Sequence, residues 1–140
     1  WEMTVLPWGL LEAGILTGKF LQRVKSPTRL NQNKLSLSEK SISVVKEVEK
    51  ISKEVGKPMS QVAINWVRQN PNAEMIPILG ARSANQLADN MAAIEWSLST
   101  EQYKQLDKVS AIDMGFPHDF LDGNKYIFGA TYDKIDGRRA

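Results

Sequence analysis

The stretch Met75-Ile76-Pro77-Ile78-Leu79-Gly80-Ala81-Arg82-Ser83-Ala84-Asn85-Gln86-Leu87-Ala88-Asp89-Asn90 holds a strand, a short loop and the start of a helix. Met75 to Leu79 is apolar, has no helical period and stops at Gly80, as a buried strand does. Ser83 then suits an N-cap, and Leu87, Met91 and Ile94 recur at spacings of four and three, which places them on one helix face. The turn between the two elements carries the only chemistry in the stretch. Arg82 stands immediately before a helix N-terminus, where N–H groups without intrahelical acceptors and the helix dipole favour an anion. A phosphate fits there. Gln86 and Asn90 lie four residues apart on one face, so their amides suit the edge of a base held above that phosphate, as in an adenosine carrying a 2′-phosphate. The same residues have a plainer reading: Ser83 and Gln86 as a capping box, Asn90 as a solvated helix residue and Arg82 as a surface charge. Spacing alone favours the plainer reading.

Upstream, the pattern occurs a second time. Met3 to Trp8 is another apolar run without helical period, ended by Pro7 and Gly9. A loop from Gly9 to Lys19 follows, with Gly9, Gly14 and Gly18 allowing tight turns and close approach to a bound group. Phe20 to Leu37 is polar, contains Pro27 and reads as a surface excursion. A helix is predicted from about Glu39 to Val55, where Ile42, Val45, Val48, Ile51 and Val55 recur at three and four, with Ser36 and Glu39 as a capping box and Gly56 as the stop. Pro58 suits the first turn of a second helix with Val62, Ala63, Trp66 and Val67 on one face, ended by Asn70-Pro71. These two helices are expected to pack as a pair on one side of a sheet. Ser99 and Gln102 form another capping-box pattern before a helix carrying Tyr103, Leu106 and Val109. Beyond Ser110 the chain is turn-rich and aromatic, without a clear period. Two strand-then-helix units imply a parallel sheet, because each parallel return needs a crossover of a dozen or more residues.

Composition narrows the classes. The 140 residues are 42% hydrophobic and 24% charged, as in an ordinary globular domain. Eighteen Lys and Arg against 16 Asp and Glu leave a net charge of +2, and the charged stretch from Glu39 to Glu54 mixes both signs. That is no nucleic-acid footprint, which needs a basic patch or stripe. With no Cys, disulfides, thiolate metal sites and cysteine nucleophiles are excluded, and a cytoplasmic location is the expectation. No apolar run approaches the roughly 18 residues of a membrane-spanning helix, so no membrane partner is expected. The first residue is Trp1 rather than Met, and strand-like sequence starts at once at Met3, which suggests truncation.

Four segments resemble the aldo-keto reductase superfamily, in the branch that includes potassium-channel beta subunits and aryl-alcohol dehydrogenases. They are Trp8-Gly9-Leu10-Leu11-Glu12-Ala13-Gly14-Ile15-Leu16-Thr17-Gly18-Lys19, Gln61 to Val67, Gly80 to Asn90, and Gly115-Phe116-Pro117-His118-Asp119-Phe120. The resemblance covers nearly the whole chain, in the right order. It implies an α/β chain over residues 1–140 forming the C-terminal, incomplete portion of a (β/α)8 TIM barrel: its last two βα units and a tail, where a whole barrel takes about 250 residues. It further implies an NADP cofactor and a small carbonyl substrate reduced by hydride transfer. Trp8 would lie against the nicotinamide, and backbone around Gly9, Leu10, Leu11 and Ala13 would meet the pyrophosphate. Lys19 and Arg29 would supply positive charge. Arg82 would face the 2′-phosphate, with Gln86, Asp89 and Asn90 at the adenine, and Gly80 would also belong to the cofactor site. The sequence departs from the family at Gly9-Leu10, where many members have Ser-Pro, and at Glu12, where a small residue is common; a carboxylate near a pyrophosphate is unfavourable unless it points away. The family's catalytic Asp, Tyr, Lys and His find no matching motif here, so no catalytic residue and no metal ligand is assigned, and the chain alone is expected to be inactive. His118, the single histidine, reads as structural or near a substrate rim. An unclosed sheet would leave apolar edges to self-associate or to be complemented by a missing half; a non-catalytic nucleotide-binding or protein-interaction role is the alternative.

Overall fold

The structure, a computed structural model, describes residues 3–18, 37–122 and 129–134. The surface excursion expected from Phe20 to Leu37, together with Lys19, Arg29 and Ser36, therefore lies almost wholly outside the described residues. The chain divides into two compact units, Trp1–Ser110 and Ala111–Ala140.

In the first unit, α1 spans Glu39–Val55 and buries Val45, Val48 and Ile51. Its N-cap is Ser38, not the expected Ser36: Ser38 is extended, and its Oγ accepts the Ser41 N–H at 3.0 Å. Glu39 is already the first helical residue, so the capping position falls one before it. At the other end Gly56 takes a left-handed conformation, φ 63°, that a residue with a Cβ adopts only at a cost. The helix α2 spans Met59–Arg68, with Pro58 just before it, where its missing N–H costs nothing. The expectation was one apolar face, yet Ser60 to Asn65 are all buried. α2 is the central helix of the unit.

A polar row makes that central position workable. Gln61, Asn65 and Gln69 follow one another at spacings of four, so they share a face of α2 and its C-terminal turn. The Gln61 Nε2 group donates to the Asp89 carbonyl at 2.8 Å, Asn65 Nδ2 donates to the Trp96 carbonyl at 3.2 Å, and Gln69 Nε2 donates to the Leu98 carbonyl at 3.1 Å. Leu98 N–H returns a bond to Gln69 Oε1 at 2.8 Å. Arg68 adds a bond to the Trp96 carbonyl and one to Asn65 Oδ1. Three side-chain amides thus bond to backbone carbonyls that run beside α2, that of Asp89 in the next helical segment and those of Trp96 and Leu98 in the irregular chain after it.

α3 spans Ala84–Met91 and continues into a short 3-10 turn, Ala92–Glu95. Leu87, Met91 and Ile94 form a row as expected, but the row is exposed. The side of this helical segment turned inward carries Asn90 and Ala93 instead, because its attachment to α2 runs through the polar contacts of Ser60 and Gln61 with Asp89. α4 spans Thr100–Ser110 and opens with the expected reciprocal capping box: Gln102 N–H donates to Ser99 Oγ at 3.2 Å, and Ser99 N–H donates to Gln102 Oε1 at 3.1 Å. Leu106 joins Val48, Ile51, Val62 and Leu98 in the apolar core, with Trp66 packed beside them. Tyr103 stacks on Trp66, ring centroids 6.3 Å apart and planes 22° apart. Burial, and secondarily the negative charge of Asp107, push the Tyr103 hydroxyl above its ordinary value. Trp66 Nε1 is buried and has no hydrogen-bond partner among the described residues.

The two apolar runs do meet in parallel. Val5 pairs with Met75 and Trp8 with Ile78, a constant offset of seventy residues. Val5 N–H donates to Glu74, and Ile76 and Ile78 N–H donate to Val5 and Pro7, each at 2.9 Å. Parallel register asks Pro7 for a further bond to Ile76, which a residue with no N–H cannot give, so the contact is two isolated bridges rather than a ladder. Met3, Val5, Leu6, Trp8, Ile76 and Ile78 are exposed. The helices expected on one side of a sheet pack mainly on one another.

The second unit, taken by itself, begins with an Asx-type turn in which Gly115 N–H donates to Asp113 Oδ1 at 2.9 Å. A short helix, α5, spans His118–Asp122, and a 3-10 turn covers Gly129–Lys134. The Phe116-Pro117 bond is cis, and the rings of Phe116 and Phe120 lie 6.1 Å apart on exposed side chains.

Candidate functional site

Parallel pairing sets the site. Because Trp8 pairs with Ile78 and the two bridged segments run the same way, the loops that follow them leave from the same end, side by side. One loop is Gly9 to Gly18; the other is Leu79 to Ser83.

The first loop is built from unusual backbone. Gly9 has φ 75°, and Glu12, Ala13 and Gly14 follow with φ 45°, 52° and 101°. Glycine adopts such angles freely, whereas Glu12 and Ala13 each hold a left-handed conformation at a cost of about 1–2 kcal/mol. The turn is fixed by Glu12 N–H to Gly9 and Gly14 N–H to Leu11, both at 2.8 Å, and by Thr17 Oγ1 donating to the Gly14 carbonyl at 2.6 Å. Ile15 is buried and anchors the loop, and Gly18, φ 77°, closes it against Met59, whose Sδ would lie 2.5 Å from an added Cβ. Leu10 and Leu11 are half-buried, while Gly9, Glu12 and Ala13 are exposed. A Cβ at Gly9 would meet nothing within 4 Å, so its backbone is open to a neighbour. Trp8 is 85% exposed at the head of the loop. A flat apolar ring in that position offers a stacking surface.

The second loop ends in α3. Ser83 Oγ accepts the Gln86 N–H at 3.3 Å, and Gln86 Oε1 accepts the Arg82 N–H at 2.9 Å, which locks the turn from Arg82 into the helix. Gln86 N–H is thereby satisfied, and the N–H groups of Ala84 and Asn85 in the first turn have no intrahelical acceptor. Gly80, Arg82 and Gln86 are exposed around them. This donor set suits a phosphate: backbone N–H groups, the positive end of a helix and a guanidinium, with no carboxylate in the turn itself.

The remaining candidates are not brought together as the spacing implied. Gln86 faces solvent, but Asn90 is only 6% exposed, turned toward α2, so the two amides do not present one open edge. Asp89 is exposed, yet its carboxylate is tied to α2: its Oδ2 accepts from Ser60 Oγ at 3.1 Å and its Oδ1 from Gln61 Nε2 at 3.3 Å. Trp96 Nε1 donates to Gln61 Oε1 at 3.0 Å and completes the network. Sequence reasoning missed Ser60, Gln61 and Trp96; the available signal was a run of polar residues, Ser60, Gln61 and Asn65, inside an otherwise apolar helix. Lys19 and Arg29 lie outside the described residues. Among the described residues no group of His, Asp and Glu side chains is arranged to hold a metal ion, and no helix is long and apolar enough to cross a membrane.

Comparison with known proteins gives a consistent picture. The model of the aldo/keto reductase family matches residues 2–111. Norsolorinic acid reductase B of Aspergillus parasiticus is 30% identical over 129 residues, covering 91% of this chain and 34% of that protein. An aryl-alcohol dehydrogenase of Phanerodontia chrysosporium, whose name specifies NADP(+), is 33% identical over 150 residues, covering 99% and 39%. A putative voltage-gated potassium channel subunit beta of Schizosaccharomyces pombe is 30% identical over 112 residues, covering 73% and 32%. The chain thus spans about a third of the length of these relatives.

Proposed function

The chain belongs to the aldo/keto reductase family, and from that premise we propose that it is the NADP(H)-binding portion of an oxidoreductase that reduces a small aldehyde or ketone, folded as the last part of a (β/α)8 barrel. The observation that supports this reading is the turn from Gly80 into α3, where Arg82 stands beside the capped start of the helix, next to the loop at Gly9 to Ala13, a donor set that suits a 2′-phosphate. The 2′-phosphate would sit on the α3 N-terminus and Arg82. The pyrophosphate would follow the Gly9–Ala13 backbone, and the nicotinamide would lie against Trp8, with Lys19 and Arg29 adding positive charge. NADPH, when bound, supplies the hydride for carbonyl reduction. The acid–base groups that would protonate the carbonyl are not among the motifs of this chain, so the chain alone holds the cofactor without turning it over. Measurable NADPH-dependent reduction of an aromatic aldehyde by the chain alone would contradict that part.

The test of binding is a tryptophan-fluorescence titration with NADPH and separately with NADH. Quenching by NADPH that is lost in Arg82→Ala supports the reading; equal responses to both nucleotides, unchanged in the variant, refute it. A second reading is favoured by a separate observation: the exposed apolar residues of the strand pair and the exposed row Leu87, Met91 and Ile94. Such surfaces suit self-association or complementation by further barrel strands, or a non-catalytic interaction role. Light scattering that finds only monomer across the accessible concentration range would speak against self-association.

A further inference from the structure

The pairing of the two extended segments divides their side chains between two faces, and one of those faces is open. Side chains alternate along an extended chain, so Thr4, Leu6 and Trp8 share a face with Glu74, Ile76 and Ile78, their neighbours across the constant register. The bond from Thr4 Oγ1 to Glu74 Oε2, 3.2 Å, lies on that face. Beyond it Leu6 stands beside Ile76 and Trp8 beside Ile78, and these four side chains are 56%, 52%, 85% and 52% exposed in that order. On the opposite face Pro7, Met75, Pro77 and Leu79 are half-buried. The open face is therefore polar at the Thr4 end and apolar over the rest, with Glu74 as the one charged residue of the six.

We propose that a second copy of the chain docks on this face, the two strand pairs stacking face to face about a two-fold axis. The proposal rests on the self-association reading above and assigns it a surface. Four such side chains offer roughly 500 Å² of apolar surface, at the upper end of what a monomer leaves contiguous. Two copies together bury about 1,000 Å², the lower bound of a specific interface. That area fits a weak, reversible dimer with a dissociation constant of about 10 µM or higher, not an obligate one. A two-fold axis brings the same patch from both copies together, which an apolar face complementary to itself allows. Strands of the two copies that run in opposite directions keep the two Glu74 carboxylates at opposite ends, whereas strands running the same way would place one over the other. Because the cofactor reading puts the nicotinamide against the same Trp8 ring, the dimer is a state of the nucleotide-free chain.

The experiment is sedimentation velocity of the full, nucleotide-free chain from about 1 to 300 µM, with tryptophan emission recorded alongside. The expected result is monomer at the lowest concentration, dimer at the highest, no larger species, and a blue shift of emission with concentration that Trp8→Phe removes. Ile78→Lys alters a side chain that is already half in solvent, so the monomer keeps its fold, as circular dichroism checks; Leu6→Lys repeats the test on the other strand. A lysine within the stacked face is expected to raise the dissociation constant at least about tenfold. Leu87→Lys, on the exposed row of α3, is expected to leave it within about twofold. Monomer at every concentration removes the self-association reading and this proposal with it, and leaves the face to further barrel strands. A dimer that neither face variant weakens, or that Leu87→Lys weakens as much, keeps self-association and overturns this face. Growth beyond the dimer, or a dimer without the Trp8 shift, overturns the two-fold stacking.

Discussion

Replacing Gln61 by Leu tests the polar attachment of α3 to α2. The side chain is 4% exposed and makes three contacts: donation to the Asp89 carbonyl, donation to the Asp89 carboxylate and acceptance from Trp96 Nε1. Two of these are good neutral bonds, at about 1 kcal/mol each net, and the third, long but to a charged group, adds about 1.5 kcal/mol. Leucine leaves the Asp89 carbonyl and the Trp96 N–H without partners and returns about 1 kcal/mol or less through added apolar contact. Gln61→Leu is therefore expected to destabilise the chain by about 2–4 kcal/mol, read as a lowered urea midpoint by circular dichroism with little change in slope. A loss below about 0.5 kcal/mol would refute the network as an anchor. Gln61→Glu provides the electrostatic control. An acid placed there, buried and facing Asp89, has a folded-state pKa raised above its unfolded value. Its destabilisation at neutral pH is thus relieved as pH falls toward the ordinary Glu range, while that of Gln61→Leu shows no such recovery.

The remaining expectations concern separate features. Glu12→Gly removes left-handed strain and a carboxylate from the Gly9–Ala13 loop, so it is expected to gain about 1 kcal/mol in thermal stability and to tighten NADPH binding; weaker NADPH binding at unchanged stability would count against the loop as a pyrophosphate site. Trp66→Phe deletes a buried N–H that has no partner among the described residues while keeping a ring against Tyr103, and is expected to change stability by less than about 1 kcal/mol, against about 3–5 kcal/mol for Trp66→Ala; equal losses in chemical denaturation would argue against the unpaired donor. Tyr103 has its hydroxyl value raised in the folded state, so its contribution is present below the ordinary tyrosine value and is lost as pH rises through the raised one. Stability measured across that alkaline range is expected to fall less steeply in Tyr103→Phe than in the parent chain, and parallel curves would exclude the effect.

Much of the helical fold was legible because helix period, caps and stops are local. The spacing of Val45, Val48 and Ile51 gives α1 its inner face, Gly56 its stop, and Ser99 with Gln102 the start of α4. The cap at Ser38 was misplaced by two residues, since a Ser three before a Glu matches a capping box wherever it falls. Burial of α3 was not legible: Leu87, Met91 and Ile94 have the right period for a core face, but which face is covered depends on what lies opposite, and there Ser60 and Gln61 secure Asp89 instead. The strand pairing was anticipated in kind, while its interruption at Pro7 follows from register, which neither run specifies alone. At the site, the Arg82–Ser83–Gln86 turn could be read from spacing because its bonds span four residues or fewer. The roles of Asp89 and Asn90 could not, because they depend on a helix nearly thirty residues away in sequence.

The most direct measurement is phosphorus NMR of NADP(+) titrated with the chain. Its 2′-phosphate monoester and its pyrophosphate resonate separately, so each can be followed as the nucleotide binds. The expected result is a shift of the 2′-phosphate resonance that saturates with protein and disappears in Arg82→Ala; movement of the pyrophosphate alone, or no movement of either by a folded chain, would contradict a 2′-phosphate site at the start of α3.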